Sequence, residues 1–249
     1  MYFRPGTLND AVQVLAAHGG QILSGGTDFF PALGDRPAPS SVVDISRISE
    51  IRGIQVESDS ISIGGLTTWS EVIAARLPRC FDALKGAARE IGAVQIQNRG
   101  TVAGNLCNAS PAADGVPPLL ALDAEVELVS NSGARRVPLS AFIVGNRKTL
   151  RRADEILTRV IVPRRLDDAA SAFLKLGARR YLVISIAMVA AIVKVDAAGL
   201  VDAARIAVGS CSVAAQRLFA LEQALVGAPA RRGLGALAAA QHLACLSPI

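Results

Sequence analysis

Two hydrophobic spacings alternate along the chain. Leu8, Val12, Leu15 and Ala16 recur on one helical face, Thr7 and Asp10 form a capping-box-like start, and Gly19-Gly20 supplies a stop. Strands are predicted at 21–24 and 42–45, separated by the turn Gly25-Gly26-Thr27-Asp28 and the proline-bearing stretch 36–39. Residues 1–55 therefore read as a small α/β lobe with a glycine turn at a strand end. Alternation at 54–57 and 60–63 predicts one hairpin, and 125–129 with 135–137 around Asn131-Ser132-Gly133 a second. Helices are predicted at 68–75 and 81–91, and a strand at 155–162 stopped by Pro163. The glycine-bearing segment 92–114 shows little period of either kind, and the apolar run 119–122 follows it. Beyond the charged turn at Asp167-Asp168 come long β-type runs at 172–176, 184–195 and 201–208, then two Ala/Leu-rich helices at 214–225 and 231–243. The expected organisation is a lobe at 1–55, a larger α+β lobe at 56–166 and a C-terminal domain of sheet and helices at 167–249.

Composition removes several function classes. The 249 residues are 51% hydrophobic and only 4% aromatic, enough for a sizeable core. Mean hydropathy of +0.39 raises the question of a membrane span. The longest apolar run, 182–193, contains Ser185 and falls short of the roughly 20 residues a bilayer requires. No apolar signal-peptide core opens the chain, so a cytoplasmic location is expected. A net charge of +5 invites a nucleic-acid reading, but a basic stripe with aromatic platforms is missing, and neither nucleic acid nor membrane is expected as a partner. Cys80, Cys107, Cys211 and Cys245 are far apart and only His18 and His242 accompany them, so the chain is expected to carry no metal or iron–sulfur site of its own.

Two segments pair small residues with hydroxyl or amide side chains: Leu23-Ser24-Gly25-Gly26-Thr27-Asp28 and Thr101-Val102-Ala103-Gly104-Asn105. Consecutive N–H groups at glycine-rich turns make anion-binding concavities, and glycine lets a phosphate approach the backbone. Neither segment is G-x-G-x-x-G or G-x-x-x-x-G-K-[ST], which disfavours a Rossmann site or a P-loop. A diphosphate between two such turns would be bound mainly by main-chain N–H groups, with Thr27, Thr101 and Asn105 side chains adding donors. Each segment also reads as an ordinary strand-end turn.

These segments belong to a longer pattern: SGGTDFFPAL at 24–33, IGAVQIQNRGTVAGNLCNASPAADGVPPLLALDAEVEL at 91–128, GNRKT at 145–149 and FLKLGARRYLVIS at 173–185. In this order they resemble the FAD-binding medium subunit of the molybdenum hydroxylase family, to which xanthine dehydrogenase and carbon monoxide dehydrogenase belong. The resemblance implies an α+β fold, a two-lobed FAD-binding domain of the vanillyl-alcohol-oxidase (PCMH) type followed by a C-terminal β-sheet and helix domain. That last domain reads as truncated, because relatives continue beyond a similar Ser-Pro-Ile. FAD would be held noncovalently, with Leu23, Ser24, Gly25, Gly26, Thr27, Asp28 and Phe29 forming one side of the diphosphate cradle and Thr101, Val102, Ala103, Gly104 and Asn105 the other. Asp114 is implied on the ribityl or ribose side, Leu157 against the flavin and Lys175 near it, and Tyr181 is a candidate to pack on the isoalloxazine.

From the residues alone, Asp114 also reads as a helix cap, Leu157 reads better as plain core and Lys175 as a solvated strand lysine. Cys107, lacking a base partner, reads as a small buried packing residue. Valine at both Gly25 and Gly104 is expected to abolish FAD retention by blocking backbone approach to the diphosphate. The family implies an electron-transfer subunit that accepts electrons from two-iron two-sulfur clusters and passes them to an external acceptor. Those clusters belong to an iron–sulfur small subunit, and molybdopterin to a large subunit. Two other readings stay open: a free-standing FAD oxidoreductase, which the scarcity of His and Tyr near the motifs disfavours, and a non-catalytic assembly subunit with a degenerate flavin site.

Overall fold

The computed structural model describes residues 1–180 and 182–248. The chain opens with β1 (Tyr2–Phe3), α1 (Leu8–His18), β2 (Gln21–Leu23), α2 (Phe29–Leu33) and β3 (Val42–Asp44), whose strands form a parallel sheet in the order β1-β3-β2. Thr7 caps α1 by accepting the Asp10 N–H at 3.1 Å, and Gly19 at φ 59° ends it. Ala11, Val12 and Leu15 pack from α1 onto Val43, Ile45, Ile48, Leu66 and Ile156. Burying a Val or Leu side chain stabilises by about 1.5–3 kcal/mol, so this one face locks the small lobe to its neighbour. Tyr2–Phe3 is too short to show a period, and only its register with Val42 and Val43 makes it a strand.

The second unit runs through β4 (Ile54–Val56), β5 (Ser60–Gly64), α3 (Trp69–Ala74), α4 (Asp82–Glu90), α5 (Val94–Gln97), α6 (Val102–Asn108), α7 (Val116–Ala121), β6 (Glu125–Ser130), β7 (Gly133–Pro138), α8 (Leu139–Phe142), β8 (Ile143–Gly145), β9 (Lys148–Thr149) and β10 (Ile156–Pro163). Its antiparallel sheet has the order β4-β5-β10-β6-β7, with both expected hairpins present and β8 paired with β9 beside it. α5 and α6 occupy the stretch that showed no period. At 4 and 7 residues they are too short for a 3.6-residue pattern to repeat.

β11 (Ala170–Leu176), β12 (Ala187–Val195), β13 (Val201–Gly209) and β14 (Gln216–Arg217) form an antiparallel meander, followed by α9 (Phe219–Leu225). Ala190, Ile192 and Ala207 of this sheet join the same apolar core as Ile61, Leu84, Leu119 and Leu157, so the third sheet packs directly on the second unit. The expected helix at 214–225 begins only at Phe219, because Gln216 and Arg217 pair with Val208 and Ala207. In place of a helix at 231–243 stand two 3-10 turns, Leu234–Leu237 and Ala240–Leu243. Gly233 at φ 96° and Gly235 break that segment, and its residues bury too little to offset the helix cost of glycine.

Candidate functional site

A cavity of about 980 Å³ opens between the Ser24–Phe29 segment, α6, the β8–β9 hairpin and the start of β10. Its size is that of a site for a large small molecule. The first glycine turn lies along α6 and is tied to it at both ends. Ser24 Oγ meets Thr101 Oγ1 at 3.2 Å, and Asn108 Nδ2 donates to the Asp28 carboxylate at 2.9 Å. Thr101 precedes the helix and Asn108 is its last residue, so the anchors are separated by about 10 Å of helix. Between them the amides of Gly25, Gly26, Thr27 and Asp28 donate to no group among the described residues. Gly26, at φ 78°, supplies the left-handed turn, and an added Cβ there would meet the Phe30 ring at 2.8 Å.

The second glycine segment is the start of a helix rather than a turn. Thr101 caps it, accepting the Gly104 N–H at 3.0 Å, while Val102 N–H donates to Thr67 O at 2.9 Å and Ala103 N–H to Gly65 O at 3.1 Å. Its first amides are therefore satisfied internally, so of the two segments only the first keeps a run of free main-chain donors. Ala103 is accommodated because helical backbone has negative φ. Close packing explains the neighbouring glycines: a Cβ on Gly65 would lie 2.4 Å from Leu157 O, and one on Gly115 2.4 Å from the Trp69 ring. The Asn105 Oδ1, 2.8 Å from that second position, is buried without a partner.

Ser24, Gly25, Gly26, Thr27, Asp28, Phe29, Thr101, Ala103, Gly104, Asn105 and Leu157 all line the cavity. Leu23 and Val102 are buried beside it and do not line it. Asp114 and Lys175 lie outside its wall, and Lys175 lines a second cleft of about 540 Å³ against α4. The Lys175 ammonium donates to the Asp114 carboxylate at 2.8 Å, Ser185 Oγ donates to it at 2.6 Å, and both charged side chains are 8% exposed. Lys175 is thus no solvated strand lysine. Nor does Asp114 cap α7, whose N-cap is Gly115. Burial holds the Asp114 carboxyl above the usual range against these two donors. Tyr181 lies outside the described residues.

The cavity wall also contains residues that pattern reading did not single out. Leu66, Trp69 and Ile156 are apolar and read as core, which they also are. Asn108, Arg147, Lys148 and Arg151 bring polarity and positive charge to the rim. The signal for three of them was the GNRKT motif and the arginine pair after it. Arg151 is held by donating to the carbonyls of Arg152 and Glu155, and Glu155 is gripped by Arg135 at 2.6 and 2.8 Å. Cys107 is half-buried, packed against the core while also lining the cavity, and burial pushes its thiol up to about 11. It stays protonated at neutral pH and offers no nucleophile.

Free amides on a glycine turn, in a cavity whose lining also includes Leu66, Trp69 and Leu157, are an arrangement suited to a phosphate-bearing aromatic cofactor. Residues 1–165 match the family model described as the FAD binding domain in molybdopterin dehydrogenase. The chain is 38% identical over 236 residues to the nicotinate dehydrogenase FAD-subunit of Eubacterium barkeri, covering 92% of this chain and 80% of that protein. It is 35% identical to a putative xanthine dehydrogenase FAD-binding subunit of Escherichia coli K12, with 92% and 80% covered. Among solved structures, carbon monoxide dehydrogenase from Hydrogenophaga pseudoflava superposes with a TM-score of 0.90 at 29% identity, over 100% of this chain and 87% of that one. The two-lobed FAD-binding architecture and its appended sheet are therefore those of a known family, and this chain belongs to it as an FAD-binding oxidoreductase subunit of the molybdenum hydroxylases.

Proposed function

We propose that the subunit holds FAD noncovalently in the large cavity and serves as the electron outlet of a complex with two other chains. In this reading an iron–sulfur small subunit delivers electrons drawn from a molybdopterin-binding large subunit, and an external acceptor removes them. The observation that carries the proposal is the run of four unengaged amides from Gly25 to Asp28 on the cavity floor. Amides left without protein partners on a cavity-lining turn are available to a bound diphosphate.

FAD supplies, when bound, a carrier able to exchange electrons singly or in pairs. The chain's own part is to bind, orient and shield. The amides of 25–28 receive the diphosphate, and the Ser24–Thr101 and Asp28–Asn108 bonds hold them in place. Leu66, Trp69 and Leu157 exclude water where they line the cavity, and Arg147, Lys148 and Arg151 offset negative charge there. Lys175 acts from a second cleft, with the buried Asp114 carboxylate behind it as its ion-pair partner; Glu90 of that cleft and Ile91 of the cavity are consecutive residues. No histidine lines the cavity among the described residues, in keeping with a noncovalent cofactor: His18 stacks on Phe3, and His242 sits in a C-terminal turn. Among those residues, no helix is long and apolar enough to cross a membrane.

Two measurements test this. The purified chain should show flavin absorption at about 450 nm, and the released cofactor should be FAD by chromatography. A colourless protein that takes up no FAD would sink the cofactor assignment. Pull-down of the tagged chain from its native cells should recover a molybdopterin subunit and an iron–sulfur subunit, whereas a turnover-competent chain isolated alone would refute the electron-outlet role.

A further inference from the structure

Asp28 belongs to the glycine turn, yet its carboxylate is already engaged. Asn108 Nδ2 donates to Asp28 Oδ1 at 2.9 Å, and Arg147 Nη1 donates to Asn108 Oδ1. The amide can be oriented only this way, because a carboxylate cannot donate and a guanidinium cannot accept. These three residues come from three cavity walls: the first turn, the end of α6, and the turn between β8 and β9. The backbone reinforces the outer half. Arg147 N–H donates to Ala109 O at 2.9 Å, and both residues sit in left-handed conformations, at φ 57° and 48°. Such conformations are costly for non-glycine residues and persist where surroundings hold them.

We propose that Asp28, Asn108 and Arg147 form a polar strap that sets the width of the FAD cavity, so that the Asp28 carboxylate acts as a positioning group through Asn108 rather than by touching the cofactor. The proposal rests on the FAD reading above. Its physical basis is the position of the free amides. They are anchored at Ser24 by Thr101 and at Asp28 by Asn108, and between these points the turn contains Gly25 and Gly26, which impose little stiffness. Releasing the Asp28 end leaves the donors present but no longer fixed, and a fixed donor array is what makes a cradle bind tightly.

The strap has a polarity that can be reversed, and this separates it from direct contact. In Asn108→Asp two carboxylates face each other where a 2.9 Å bond stood, so the turn is pushed off the helix. Adding Asp28→Asn restores the bond in the opposite sense: the amide introduced on the turn donates to the carboxylate introduced on α6, which still accepts from Arg147. Fluorimetric titration of the flavin-free full chain with FAD should show binding weakened roughly tenfold or more in Asn108→Asp, and recovery to within about threefold of wild type in the double variant. Melting temperatures without FAD identify variants that merely fail to fold. If Asn108→Asp is not recovered folded, Asn108→Ala and Arg147→Ala remove the strap without adding charge and should weaken FAD roughly three- to tenfold. Unchanged FAD affinity in the single variants, or a double variant as weak as Asn108→Asp alone, overturns the strap. A wild-type chain that binds no FAD overturns the cofactor reading itself and the strap with it.

Discussion

Gly25→Ala is the most informative single change. The glycine is not in a left-handed conformation, so any cost is steric. A Cβ built there lies 2.0 Å from the Arg99 carbonyl oxygen, 2.8 Å from its carbon and 3.2 Å from Gly100 Cα. Non-bonded heavy atoms rest at roughly 3.5 Å, so the turn and the Arg99–Gly100 segment must separate by about 1 to 1.5 Å. Both are backbone, and no rotamer relieves the overlap. Overpacking of this kind costs about 1–3 kcal/mol, and the rigid partner places this case near the top of that range. For a chain of this size each kcal/mol lowers the melting temperature by about 2–4 °C, which gives a drop of roughly 6–12 °C. The added methyl runs into the Arg99 backbone, so loss of FAD affinity should accompany loss of stability instead of occurring without it. Gly104→Ala is the control. Its Cβ meets only the Thr101 and Ser24 hydroxyls at 2.8 and 3.3 Å, and alanine improves helix propensity by about 0.8–1.0 kcal/mol. Scanning calorimetry without FAD and fluorimetric titration with it read both quantities. A Gly25→Ala protein melting within about 2 °C of wild type, or no lower than Gly104→Ala, would refute the steric reasoning.

Other consequences follow from the same contacts. Lys175→Met leaves Asp114 buried with only Ser185 as donor, so its carboxyl, already raised, should rise further. An acid whose folded pKa lies above its unfolded value loses stability as pH rises from the unfolded pKa to the folded one, and no further above it. The variant should therefore melt close to wild type near pH 4 and fall progressively below it toward neutrality, and a pH-independent deficit would argue against this. Glu155 is held below the usual carboxyl range chiefly by Arg135, so its stabilisation is present above the unfolded pKa and lost as pH falls through the folded one. Glu155→Gln should then flatten the stability decline on the acid side of about pH 4.5, while an unchanged acid limb would contradict the pairing. Thr101→Val removes the cap of α6 and the bond to Ser24, and should cost about 0.5–2 kcal/mol in thermal unfolding, with Thr101→Ser restoring most of it. Cys107, with a thiol at about 11, should react with iodoacetamide far more slowly at pH 8 than an unperturbed cysteine; equal rates would contradict its desolvation by the cavity wall.

Much of the architecture was legible as pattern. The α1 stripe, both hairpins and the three long strands of the final sheet are segments long enough to repeat their period, and each occurs where the spacing placed it. What pattern missed was short or non-local. β1 has two residues, and α5 and α6 have no room for two full turns of amphipathic repeat. At 231–243 alanine-rich composition suggested a helix, and glycine with too little burial gave 3-10 turns instead. For the site, residue type and glycine placement singled out the first turn, and the structure sets its residues 24–29 on the cavity wall. Those signals could not show that the amides of the second segment are taken up by Thr67, Gly65 and Thr101.

The sequence by itself therefore determined the kind of protein: an apolar chain whose motifs resemble an FAD-binding subunit, with a glycine turn suited to a diphosphate. Only the tertiary structure decided which groups are available for that task. Hydrogen-bonding capacity is a property of each residue, but whether a donor is free depends on what the fold sets against it. Residues 77 positions apart, Ser24 and Thr101, and 80 apart, Asp28 and Asn108, become partners because α6 lies along the turn. That juxtaposition leaves the amides of Gly25 to Asp28 open, and no local spacing encodes it.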